Sequence, residues 1–169
     1  MNSQISILSH RRPALAALLI VLSSASAVLA QVNNVQFKGA FDGRATGAVQ
    51  DGSLLLNSAG AGTAVPIGRF TYTAKSTVEL ANGRETGDIQ LVAVNGDVIN
   101  ASFVGRGVPT DTPNVAHIVE LATITGGTGR FQGATGTLTL DLLDDNTSRP
   151  TGLTSGSLRG TISTPASTQ

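Results

Sequence analysis

Gly68-Arg69-Phe70-Thr71-Tyr72-Thr73-Ala74-Lys75-Ser76-Thr77-Val78-Glu79-Leu80 alternates without a break. Every even position is apolar or small, and every odd one is Arg, Thr, Lys or Glu. Only an extended strand with one face in water produces a period of two over this length. The same parity recurs on both sides. Residues 134–142 set Ala134, Gly136, Leu138, Leu140 and Leu142 against Thr135, Thr137, Thr139 and Asp141. Leu158, Gly160 and Ile162 alternate with Ser157, Arg159, Thr161 and Ser163. Upstream, Val35, Phe37, Gly39, Phe41, Gly43, Ala45, Gly47 and Val49 alternate with Gln36, Lys38, Asp42, Arg44 and Thr46.

Weaker strands fall at 53–57, 87–94, 97–107 and 115–125. Asn95-Gly96 between two of them is a hairpin signal, because a type I′ turn needs positive φ at both central residues. Asn82-Gly83 and Asp51-Gly52 mark further turns, and no helical pattern occurs downstream of Ala30. The count is eight strands on short connections, amphipathic on one side. A sandwich or a closed barrel satisfies that pattern. Glycines on the inward parity (Gly39, Gly43, Gly47, Gly68, Gly105, Gly136, Gly160) would allow the bends of closure, and a barrel removes exposed edges. The expectation is all-β: an eight-stranded antiparallel up-and-down β-barrel.

An outer-membrane barrel would need an apolar outer wall with aromatic girdles. Here the outward parity carries Lys38, Arg44, Arg69, Lys75, Glu79 and Arg159, and aromatic residues are only 4%. Reversing the faces would put the apolar side on lipid, but that side is too rich in small residues to suit it. A water-soluble barrel, without stable membrane insertion, is the expectation.

Residues 1–30 read as a secretory signal peptide: Arg11-Arg12, the apolar run 14–22, then Val28-Leu29-Ala30 as an A-x-A-like cleavage site. That run is shorter than the roughly 20 residues of a spanning helix. The protein is therefore expected to be exported, to a periplasm or outside the cell. Losing the signal removes Arg11, Arg12 and His10, so the mature chain keeps 9 basic and 11 acidic groups. A single domain is expected over 31–163, followed by a polar tail at 164–169. The absence of Cys excludes a disulfide framework and a Cys-based metal site. With no basic block, a nucleic-acid partner is not expected.

Few residues suggest chemistry. His117 is the only imidazole after cleavage, which rules out a two-histidine metal site within one subunit; no metal or cofactor is expected. The bland reading of His117 is a sheet-surface residue. Glu120 shares a strand with Ile118, Ala122 and Ile124; if that face points inward, its carboxyl is the best general acid/base candidate. Tyr72, the sole tyrosine, falls between Phe70 and Ala74 on the inward parity, where a phenol needs a structural or ligand partner. Gly126-Gly127-Thr128-Gly129 lacks the following helix of a phosphate cradle and reads as a turn, with Arg130 and Phe131 plugging a barrel end. Asp144-Asp145-Asn146 reads as a solvated turn.

Ile124-Thr125-Gly126-Gly127-Thr128-Gly129-Arg130-Phe131-Gln132-Gly133-Ala134-Thr135-Gly136 resembles a motif of the allene oxide cyclase/dirigent-like barrels, most of all their exported bacterial relatives, the allene-oxide-cyclase-barrel-like proteins. Residues 62–71 and 93–97 are similar to further segments of those proteins. The resemblance covers roughly 35–163 and implies a calycin-like barrel of eight strands. The resemblance carries over no catalytic residue of the plant cyclase or of dirigent proteins. Two functions remain. One is a barrel without catalytic chemistry that binds a small apolar molecule among Phe37, Phe41, Phe70, Tyr72, Phe103 and Leu138, or acts through its outer surface. The other, by resemblance, is a cofactor-free isomerase or cyclase with Glu120 or Tyr72 polarising an oxygen. Oligomerisation is left open.

Overall fold

Each alternating run forms a strand, and each strand pairs antiparallel with the next. The computed structural model describes residues 32–147 and 151–165. The expected signal peptide and tail residues 166–169 lie outside the described residues. The strands are β1 (Val32–Gln50), β2 (Ser53–Val65), β3 (Gly68–Glu79), β4 (Arg84–Ala93), β5 (Val98–Pro109), β6 (Val115–Gly127), β7 (Thr135–Asp145) and β8 (Thr151–Pro165). A 3-10 turn at Gly129–Phe131 joins β6 to β7. β1 pairs also with β8, from Val32↔Pro165 to Thr46↔Thr151, and this ladder closes the barrel in up-and-down order. The architecture is the eight-stranded antiparallel barrel expected from the alternation.

Several local expectations need correction. β2 runs on to Val65 rather than ending at Asn57. Ser58-Ala59-Gly60-Ala61-Gly62 has small side chains on both faces, so it carries no contrast in hydropathy. Its strand character comes from ladders with β1 and β3. The type I′ geometry belongs to Asp51 (φ 48°) and Gly52 (φ 77°) and not to Asn95-Gly96, where only Gly96 is left-handed (φ 88°). There Gly96 N–H bonds to Ala93 C=O and Ala93 N–H to Asp97 C=O, a three-residue loop ending in a glycine bulge. Asp144 and Asp145 belong to β7 rather than to a solvated turn. Gly68 is exposed, at φ 83°, and not inward.

The inward glycines also make room for large neighbours. Large inward side chains stand opposite glycines on the neighbouring strand: Phe70 opposite Gly62, Phe103 opposite Gly87, Leu138 opposite Gly160. A Cβ at Gly87 would lie 2.7 Å from Phe103 Cζ. The two rings thus lie over bare backbone, and large residues alternate with glycines between neighbouring strands.

One end of the barrel is closed. Phe131 from the 3-10 turn packs with Phe37, Ile67, Ile99 and Ile162 in the core, all at most 2% exposed. Outside that floor, Arg130 stacks on the Phe131 ring at 4.9 Å, pairs with Asp97 at 3.1 Å and donates to Ile67 C=O at 2.8 Å. Gly126 and Gly127 are not part of the expected turn: they end β6, paired with Asn100 and Ile99, and only Thr128 and Gly129 lie in the connection, with Phe131 as the plug. The outer wall carries Lys38, Arg44, Arg69, Lys75, Glu79 and Arg159, all exposed.

Candidate functional site: the polar half of the lumen

Above the floor the inward residues turn polar. Tyr72 projects from β3 across Gly60 of β2, its register partner, and reaches Gly43 of β1, which pairs with Gly60. A Cβ at Gly60 would meet the ring at 2.7 Å, and the phenol oxygen lies against Gly43. Two consecutive glycines across the sheet make room for this ring. Phe41 packs edge-on against it, centroids 5.4 Å apart and planes at 80°. The Tyr72 hydroxyl is buried and has no hydrogen-bond partner. Burial, reinforced by the negative charge of Asp42, Glu120 and Asp144, pushes the phenol up to about 12.

Glu85 of β4 and Glu120 of β6 face the same space, at 4% and 5% exposure. Gly105 of β5 stands between them in register. Its missing side chain leaves Glu120 free to lie across β5, where a Cβ would come within 2.7 Å of Glu120 Cγ. Burial, and secondarily the charge of Glu85, pushes the Glu120 carboxyl up to about 8. Glu85 is raised by burial too, and further by Asp144, while a hydrogen bond from Ser76 partly offsets this. Asp144 lies nearer the rim and is already satisfied, accepting from Asn146 Nδ2 at 2.6 Å and Thr154 Oγ1 at 3.3 Å.

These groups border a cavity of about 50 Å³. That is room for a few waters or a compact group, well short of the roughly 300–1,000 Å³ of ordinary ligand pockets. Phe41, Tyr72, Phe103 and Glu120 line it. Phe37, Phe70 and Leu138 are buried in the core but do not border it. Broader troughs on the outer wall, one over Lys75, Asp88 and Val104 and another over Thr73, Gln90 and Asn100, are open to solvent.

Glu85 lies outside the strand that the alternation marks at 87–94, because β4 begins three residues earlier, at Arg84. Extending the inward parity of Ala93, Leu91, Ile89 and Gly87 by one step reaches Glu85. The same extension of Leu138, Leu140 and Leu142 reaches Asp144. His117 is on the outer wall, 2.8 Å from Asp141 of β7, away from the lumen. Among the described residues no group of His, Cys, Asp and Glu is arranged to hold a metal ion.

Compared with protein-family models, curated proteins and solved structures, the chain gives no match. The geometry of the lumen carries the functional argument.

Proposed function

We propose that this chain is an exported barrel that binds a small molecule, largely apolar in body, in the polar half of its lumen. The observation that carries this reading is the Tyr72 hydroxyl, buried without a partner beside a cavity walled by Phe41 and Phe103. A buried hydroxyl left unmatched costs about 1–3 kcal/mol, and a ligand that bonds to it recovers that cost on binding. Export rests on the signal-like residues 1–30. The glycine turn and the barrel topology are in keeping with a calycin-like, allene-oxide-cyclase-barrel-like protein.

A second reading, a cofactor-free isomerase, draws on the Glu120 carboxyl. A group titrating near 8 beside a phenol suits general acid/base work. A cavity of about 50 Å³ does not admit a fatty-acid epoxide with these side chains in place, so the binding reading is preferred.

Native mass spectrometry of the gently purified protein tests the proposal, alongside titration with short alkanols and alkylamines followed by Tyr72 emission. Tyr72 is the only tyrosine in a chain without Trp, so its fluorescence reports this site alone. A retained small molecule, or a saturable emission change that Ser76→Phe abolishes by filling the cavity, supports the reading. No retained molecule and no saturable change with any probe overturns it.

A further inference from the structure

We infer that the polar half of the lumen is a site for a compact primary ammonium, held by Glu85, Glu120 and the Tyr72 oxygen against the Phe41 and Phe103 rings. The inference rests on the binding reading above and names the chemistry of its ligand.

Four observations converge on a cation. Two carboxyl groups face one cavity across the bare backbone of Gly105. Among the described residues no Lys, Arg or His lines that cavity to neutralise them. The third polar group is the Tyr72 hydroxyl, 4% exposed as a residue and without a partner, so its lone pairs are available to an N–H donor. The remaining walls include aromatic rings, whose faces attract a desolvated cation.

An organic ammonium fits better than a metal ion. Calcium and magnesium need six or more oxygen ligands, and no metal-holding cluster is assembled among the described residues. An ammonium has three donors, matching two carboxylates and one phenol oxygen. The space, about 50 Å³, confines the head group and first carbons, and a longer stem would lead out past the rim at Asp144 and Thr154.

The titratable groups that share the lumen with Glu120 are Glu85 of β4, Asp144 of β7 and Tyr72 of β3, and β5 offers only Gly105. In the empty barrel, burial keeps Glu120 protonated near neutral pH. Binding an ammonium favours its carboxylate, so the proton leaves to solvent as the cation enters. Affinity therefore rises from pH 6 toward pH 8.

The test titrates the protein with n-butylammonium and with 1-butanol, its neutral isostere, reading Tyr72 emission and, independently, proton release by calorimetry in two buffers. The expected result is saturable n-butylammonium binding at least about tenfold tighter than 1-butanol, with proton uptake by the buffer, weakened about tenfold in Glu120→Gln and in Glu85→Gln. Glutamine mimics a protonated carboxyl in shape and charge, so these variants keep the barrel. Equal binding of amine and alcohol, or affinity unchanged in both variants, overturns the cation while leaving the binding reading intact. Absence of saturable binding by either probe overturns both.

Discussion

Glu120 lies across Gly105: the carboxyl side chain of β6 occupies the space that a β5 side chain would fill, with 2.7 Å between Glu120 Cγ and the place of the missing Cβ. Gly105 is thus a seat for a functional side chain. Gly105→Val should force Glu120 aside and strain the β5–β6 ladder, because the new Cβ would also lie 2.8 Å from Val119 C=O. The expected loss is about 1–3 kcal/mol, read by urea denaturation. A variant as stable as the parent would mean the two strands separate more freely than the register implies.

The two carboxyls make stability fall as pH rises. Glu120 titrates near 4.5 when unfolded and near 8 in the barrel, and Glu85 shifts the same way. The folded state then binds more protons than the unfolded one between these values. Stability is full below about pH 4.5 and declines toward pH 8. For Glu120 the decline is at most on the order of 5 kcal/mol. Denaturation midpoints from pH 5 to 8 check this, and Glu120→Gln should flatten the slope. A parent protein whose stability rises over that range contradicts the burial of both groups.

Tyr72→Phe separates a site from a structural phenol. The hydroxyl has no partner, so its removal should leave stability unchanged or raise it by up to about 2 kcal/mol. Amine binding, followed by NMR because the fluorophore is gone, should weaken markedly. A loss of stability above about 1 kcal/mol would show that the hydroxyl is bonded in the resting protein.

Phe131→Ala should open the floor. The ring is 2% exposed among the core residues of the closed end, and its removal costs about 3–5 kcal/mol. Arg130→Ala should cost less, since the Arg130 side chain is itself 48% exposed. Thermal denaturation orders the two, and the reverse order would assign the closure to the Arg130 contacts instead of the plug.

The His117–Asp141 pair on the outer wall should matter little. The side chains are 41% and 60% exposed, and such pairs contribute about 0–1 kcal/mol. His117→Ala is expected to fold with near-parental stability and unchanged amine affinity, measured by denaturation and by Tyr72 emission.

The runs at 35–49, 68–80, 134–142 and 157–163, with the weaker one at 97–107, determine strands and the burial of Phe37, Phe41, Phe70, Phe103 and Leu138, while the parity fails at run ends, where Gly47, Val49, Gly68 and Leu80 are exposed. Parity is a local property: a side chain's direction follows from that of its neighbour two residues away. Where both faces were small, as at 58–62, parity fell silent and only the partner strands settled the conformation. The tertiary structure alone decided which inward groups meet. Tyr72 reaches Gly43, and Glu120 faces Glu85, because register and closure bring together residues 29 and 35 positions apart. No period in the sequence encodes that register, and the volume left over in the lumen depends on how all eight strands interlock at once.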